Sequence, residues 1–499
     1  MSDRAGLTSV RTKVFYGLGS IAFGVKDNGF QTFVLLFYSQ VIGMPAYLVG
    51  LAVGLANICD AFVDPLIGQI SDNWHSRWGR RHPFMYAAAL PVSVSYLLLW
   101  NPPHWSDNAL FFYLFAVSIV IRTFISCYEV PSAALVAELT DDYDQRTTFL
   151  SYRFLFGWAG GLGMAIMAYR YLLRPDAAHP VGQLNPAGYA NYGLVAGLVM
   201  FTVIIVSSLG THRFIPEFHV PPQRRIGFLT LLKEMFATLS HRSFLMLSLA
   251  LIFVAMATGV VFALTQYFYT FIYLFSAKQI SNIQLSGILS AALAFSIAAP
   301  ISRRFGKKWP AVSLFATGMI LGSGPLILWL MGLFPVSPSP VTLPGVIAAT
   351  IVAITLTTAS SILFTSMLTD VVEDSELRTG RRSEGVFFAA SSFIQKSVSG
   401  LGMFLSGIVL WLAEFPQHAT PGKIAHASLV RLALIELVTV LALYSIALVC
   451  VSFYRISRKD HEENLRRLAA EQALAQTPIG DEAVVHAAPD DGAAPRPAQ

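Results

Sequence analysis

Two aspartates, Asp60 and Asp64, stand in the middle of an otherwise oily run, "YLVGLAVGLANICDAFVDPLIGQISD". At i and i+4 they occupy one face of a helix. A carboxylate at the centre of a bilayer costs roughly 3 kcal/mol on insertion scales, and two adjacent ones repel unless something positive lies between them. Such a pair shares a proton or binds a small cation through its oxygens. A hydroxyl from a neighbouring helix, such as Ser126, would complete the shell. Pro65 and Pro131 would leave the carbonyls of Ala61 and Cys127 without their normal helical partners, freeing further oxygens. Kinked or broken helices at mid-depth are where secondary transporters hold their ions. The spacing therefore reads as a coupling-ion site.

Other charges lie at similar depth. "SIAFGVKDNGFQTF" carries Lys26 and Asp27, roughly 18 Å into the first apolar segment at about 1.5 Å per residue. "IRTFISCYEVPSAAL" carries Arg122 and Glu129 near one helix face, "FLSYRFLFGW" carries Arg153, and "GVFFAASSFIQKSVSGLG" carries Lys396. Intramembrane ionisable groups face each other or a water-filled cavity. The plainer alternative is a set of structural ion pairs holding helices together. For Arg122, neutralisation of Glu129 is the favoured reading, and binding of an acidic group on a solute is the other.

The elements that must carry these groups follow from composition. The 499 residues are 55% hydrophobic and only 13% charged, whereas soluble domains are about 25% charged. A spanning helix needs about 20 mostly apolar residues. Twelve segments qualify: 14–42, 46–71, 83–101, 108–137, 148–173, 191–212, 243–275, 279–301, 309–334, 341–368, 384–414 and 426–455. The longest internal hydrophilic stretch falls between the sixth and seventh. The expected organisation is all-α: a six-helix bundle over 1–213, a linker over 214–242, a second bundle over 243–455 and a tail over 456–499. In that tail a short helix is followed by an Ala-, Pro- and Asp-rich stretch that reads as disordered.

Loop charge sets orientation. Alternate loops carry Arg77, Arg80 and Arg81; Arg224, Arg225, Lys233 and Arg242; Arg303, Arg304, Lys307 and Lys308; and Arg378, Arg381 and Arg382. The opposite loops hold Arg170, Arg174, Lys278 and Lys423. The positive-inside rule places both termini in the cytoplasm of a cell (inner) membrane protein. The N-terminal "MSDRAGLTSVRTK" is polar and short, and no small-residue cleavage site follows the first apolar run, so it reads as retained.

Several function classes drop out. The net charge of +5 comes from scattered loop residues rather than one basic face, so no nucleic-acid partner is expected. Cys59, Cys127 and Cys450 lie in apolar runs and suggest neither a disulfide framework nor a metal site. His75, His82, His104 and His212 lie in loops or at helix ends, and no H-E-x-x-H or intramembrane G-x-S-x-G occurs, which argues against a membrane-embedded enzyme. No cofactor is expected beyond the coupling ion, H+ or Na+. The expected partners are a small solute, that cation and the lipid bilayer; the sequence leaves the oligomeric state open.

The strings "KDNGF", "CDAFVDPLIGQISD" followed by "SRWGRRHPF", "YEVPSAAL", "DVVEDSELRTGRRSEG" and "IQKSVSG" resemble the glycoside–pentoside–hexuronide:cation symporters, the melibiose-permease-like branch of the major facilitator superfamily. The resemblance covers about residues 10 to 455. It implies the major facilitator fold and symport of a sugar or glycoside by alternating access. It also implies roles. Asp60, Asp64 and Ser126 match the cation site, Asp27 and Glu129 match carboxylates that bind sugar hydroxyls, and Arg153 matches a sugar-site arginine. Lys396 matches a lysine between the two sites. Lys26 and Arg122 join the candidate solute site, and Glu129 is a candidate at the cation site as well. The loop "GQISDNWHSRWGRR" resembles the superfamily's signature loop, with Gly68 permitting close helix approach and Asp72 pairing with Arg80 or Arg81 as a cytoplasmic gate; "SRRFGKK" is its partial echo in the second half.

Three residues depart from the pattern. Val63 stands where sodium-using members often place an amide, which removes an oxygen ligand and tilts the reading toward protons. Glu129 replaces an aspartate, and Ala133 stands where a tryptophan would stack on a sugar ring. Ala133, with Phe262, Phe268 and Phe271, keeps open a carrier of lysophospholipids or other amphiphiles on the same fold.

Overall fold

The computed structural model describes residues 8–140, 142–215, 242–379, 398 and 400–453, with side chains described for fewer of these. The linker, the tail, Lys396 and the side chains of Arg378, Arg381 and Arg382 lie outside the described residues.

Among the described residues, thirteen α-helices order the chain. The first apolar segment is α1 (Val10–Leu18) and α2 (Ser20–Gly29), extended by π-helical turns at Phe30–Val34 and Phe37–Ile42. Then come α3 (Ala46–Asn73), α4 (His82–Leu99), α5 (Asp107–Leu139), α6 (Tyr143–Met167) and α7 (Pro186–His212). The second half contains α8 (Arg242–Tyr267), α9 (Ala277–Phe305), α10 (Lys308–Leu330), α11 (Thr342–Thr379), α12 (Gly400–Leu412) and α13 (His426–Ser452). Among the described residues nine helices are long and apolar enough to cross a membrane, α12 being described over a shorter length. The observed ends fall close to the apolar segments read from sequence because polar caps mark them. Asp142 accepts from Gln145 N at 2.9 Å to start α6, and a Ser276–Gln279 capping box starts α9. Pro65 and Pro131 sit inside continuous helices.

The helices run alternately between two faces. The terminal face carries the described ends of the chain; the opposite face carries the turns after Ile42, Leu99, Ile272 and Leu412. Within the first half, α2 packs on α6, α3 on α5, and α4 on α5 and α7. Within the second, α8 packs on α13, and α11 on α9 and α10. The two halves meet through α3 and α12 and through α6 and α9.

Glycine sets the closeness of the α3–α12 seam. A Cβ on Gly50 would stand 2.7 Å from the carbonyl oxygen of Met403, and one on Gly54 would stand 2.9 Å from that of Gly400. Only hydrogen fits there. Gly68, expected to allow close approach, has only Val130 Cγ1 at an ordinary 3.5 Å. The close packing in α3 lies about four to five turns nearer the opposite face.

On that opposite face a polar seal joins the halves. Gln40 donates to the carbonyl of Pro416 (3.2 Å) and accepts from Ala419 N (3.0 Å). Gln183 donates to Phe275 O at 2.8 Å, Tyr169 donates to Gln266 at 2.5 Å, and Ser39 hydrogen-bonds Tyr267. Gly43 ends the first span at φ 92°, and its missing side chain makes room for His418. Between described residues, the hydrogen bonds that cross from one half to the other all lie at this end.

Candidate functional site

Asp60 and Asp64 project from α3 toward α5, where Ser126 stands between them. Its Oγ lies 3.1 Å from Asp60 Oδ1 and 2.5 Å from Asp64 Oδ1. Both helices run toward the terminal face, and both sets of residues lie roughly 20 Å from it at about 1.5 Å per residue. One hydroxyl has one hydrogen to donate. It therefore serves one carboxylate at a time.

Arg122, one turn before Ser126 on α5, points at this group. Its Nη1 is 3.7 Å from Asp60 Oδ2, and its guanidinium lies 4.8 Å from the centroid of the Phe30 ring. The side chain is buried. Arg122 thus faces Asp60, and the expected neutralisation of Glu129 is not what the structure shows. Glu129 pairs with Arg153 instead, at 3.7 Å. Seven residues bring two side chains back to one helix face, but each long side chain then leans toward a different neighbouring helix.

Arg153, on α6, is held by three further contacts on its buried side. It donates to Ser132 Oγ and to the carbonyl of Glu129, both at 3.3 Å, and lies 5.0 Å from the Phe23 ring centroid. Lys26 is buried while its neighbour Asp27 is 51% exposed, and Lys26 Nζ reaches back to Asp27 Oδ1 at 2.5 Å. One turn on, Gln31 is exposed too, although the residues that follow it are buried. An acid and an amide exposed in the middle of a span fit a water-filled opening better than lipid. Close α2–α6 contact frames it: a Cβ on Gly161 would lie 2.7 Å from Gly24 O.

The structure thus gathers Asp60, Asp64, Ser126 and Arg122 into one group, and Lys26, Asp27, Glu129 and Arg153 into ion pairs beside it. Glu129 has its contacts in the second set. Lys396 falls outside the described residues. Among the described residues no group of three His, Cys, Asp or Glu side chains could hold a metal.

A third cluster lies on the terminal face. Arg81 pairs with Asp72 at 2.9 Å, and Arg80 and Arg81 converge on Oε1 of Glu138 at 2.8 and 2.5 Å. Sequence reasoning paired Asp72 with either arginine and missed Glu138, the buried acid at the end of α5 that binds both. It also missed Glu436, a buried acid of α13 with no ion-pair or hydrogen-bond partner among the described residues. A lone acid in "LALIELVTV" carries the same signal that drew attention to Asp27.

The family model for MFS/sugar transport proteins matches residues 15–458. The chain belongs to that family. Relatives of this MFS protein include an uncharacterised symporter of Synechocystis sp., 26% identical over 92% of this chain and 97% of the other. The isoprimeverose transporter of Lactiplantibacillus pentosus is 24% identical over 92% of each. Among solved structures, a bacterial homologue of the human lysosomal transporter Spinster, in an inward-facing and unoccupied conformation, superposes with a TM-score of 0.61. It covers 92% of this chain and 98% of its own at 14% identity, a likeness of fold. The protein is an integral, multi-pass secondary transporter of the major facilitator fold, and not an enzyme.

Proposed function

We propose that the protein imports a small neutral polar solute, a sugar or glycoside, in symport with a cation that occupies the Asp60–Ser126–Asp64 group. The observation that carries this reading is the single hydroxyl shared by two carboxylates at mid-depth, a few residues from the half-exposed Asp27. Asp27 offers carboxylate oxygens to solute hydroxyls, and a carboxylate accepting from a hydroxyl is one of the stronger hydrogen bonds. The cations of the opening are already engaged: Lys26 with Asp27, Arg153 with Glu129 and Arg122 with Asp60. An acidic solute would have to displace one of these pairs, which favours a neutral cargo among the described groups. The similarity to a transporter of isoprimeverose supports a glycoside.

Loop charge supports a cytoplasmic terminal face in the inner membrane. On that reading the polar seal closes the outer end, and Gly68, Asp72, Arg80 and Arg81 belong to the inner gate. The amphiphile reading loses part of its support, because Phe268 and Phe271 are buried in the sealed end, Phe271 against Phe415 and Tyr267. Uptake into proteoliposomes of isoprimeverose, methyl glycosides, glucuronides and lysophosphatidylcholine, each with an imposed proton gradient, sodium gradient or neither, tests the proposal. Gradient-dependent accumulation of a neutral glycoside is the expected result. Accumulation without either gradient, or of the lysolipid alone, overturns it.

A further inference from the structure

We propose that Asn28 is a solute-binding residue that reads, together with Asp27, two neighbouring hydroxyls of the cargo. The inference rests on the reading of the cargo as a neutral sugar or glycoside.

One orphaned atom carries it. The side-chain oxygen of Asn28, Oδ1, is buried and has no hydrogen-bond partner among the described residues. Buried amide oxygens are nearly always paired, and asparagine is a poor helix former, so local stability gives no reason for this residue in the middle of a span. Asn28 follows Asp27 on α2, and Gln31 comes one turn on. At about 100° per residue, Gly24, Asp27, Asn28 and Gln31 share an arc of about 100°. At Gly24 that arc is pressed against α6, where a Cβ would overlap the carbonyl of Gly157 and stand 3.1 Å from Gly161 N. One turn further the contact eases: a Cβ on Gly161 would stand 3.4 Å from the Cβ of Asn28, and Asp27 is half exposed. Asp27 interacts electrostatically with the buried Arg122 and Tyr96, so it faces the inside of the bundle.

The acid and the amide offer complementary chemistry. An ionised carboxylate only accepts hydrogen bonds, whereas a primary amide both accepts and donates. Two hydroxyls on neighbouring ring carbons match such a pair. The first donates to Asp27, whose carboxylate is steadied by its contact with Lys26. The second donates to Asn28 Oδ1 and accepts from Nδ2, which gives the buried oxygen its missing partner. A cargo without the second hydroxyl returns Oδ1 to its unpaired state, and a site built around a hydroxyl rejects the analogue that lacks it. The pair therefore selects for a vicinal diol.

The test combines transport with stability. Uptake of isoprimeverose, methyl glycosides and their monodeoxy analogues is measured in proteoliposomes under an imposed proton or sodium gradient, and thermal unfolding is followed on the purified full chain. For the glycoside that wild type accumulates best, Asn28→Ala is expected to raise the half-saturation concentration about tenfold at a little-changed maximal rate, the loss of one hydrogen bond to the solute. Its melting midpoint without solute is expected to equal or exceed that of wild type, because the orphaned oxygen is gone. One monodeoxy analogue, lacking the hydroxyl that Asn28 binds, is expected to saturate wild type and Asn28→Ala alike. A half-saturation concentration unchanged from wild type overturns the proposal, as does an equal loss for the parent glycoside and every analogue. Asn28→Ser carries the same readouts should Asn28→Ala fail to fold, and failure of both to fold marks a structural residue and overturns the proposal too. Failure of the cargo reading looks different: wild type itself would accumulate none of these glycosides, and both readings fall.

Discussion

The mid-span group and the terminal-face cluster use the same ingredients in opposite ways. At the terminal face two arginines meet two acids at 2.5 to 2.9 Å. At mid-depth one arginine stands 3.7 Å from one acid of a pair, and a serine mediates between the acids. The tight set cross-links the loop before α4 to the ends of α3 and α5, and every short contact in it is direct. In the loose set a hydroxyl, rather than a direct charge pair, joins the two acids. Tightness suits a clamp; a looser set suits an ion that must arrive and leave.

Substitutions can break that contrast in order of size. Asp64→Asn should abolish accumulation outright, since an amide cannot gain and lose charge, while equal-concentration exchange of solute persists. Comparison of gradient-driven uptake with exchange in proteoliposomes measures this. Glu138→Gln at the clamp should leave gradient coupling in place but destabilise the fold by about 3 kcal/mol, because Arg80 loses its carboxylate and the buried Arg81 keeps only Asp72. The melting midpoint reads it, and a loss below 1 kcal/mol would mean the cluster is not a clamp.

Gln40→Leu touches neither group and tests the seal that closes the far end. Losing two hydrogen bonds of about 1 kcal/mol each should shift the closed state by roughly thirtyfold. Labelling of Gln31→Cys by an impermeant maleimide from the outer side, in a chain with its three native cysteines replaced, should accelerate accordingly. Asp72→Asn should have the smallest effect on stability. Its half-exposed pair with Arg81 is worth at most about 1 kcal/mol, so a small shift beside the large one for Glu138→Gln would locate the clamp's strength in the buried acid.

Much of the fold was legible because lipid imposes a simple rule: a span needs a long apolar run, and its ends need caps. The observed helices Ala46–Asn73 and Pro186–His212 fall close to segments read at 46–71 and 191–212. Periodicity also placed Asp60 and Asp64 on one face, and a hydroxyl was foreseen beside them. Partner choice was another matter. Arg122 and Glu129 share a helix face in sequence, yet one reaches α3 and the other meets Arg153 of α6. Gly68 looked like the close-packing glycine, while contact with the second half is made at Gly50 and Gly54.

The residues alone determined that the chain lies in a membrane, where its helices begin and end, and which helix faces carry charge. These depend on local hydropathy and on 3.6-residue geometry, both properties of neighbours along the chain. Only the tertiary structure decided which acid each arginine serves, which glycines touch backbone, and that Asp27 is open to solvent while Lys26 is buried. Those outcomes depend on which helix stands opposite and on the several ångströms a long side chain can swing, and neither is written in the local sequence.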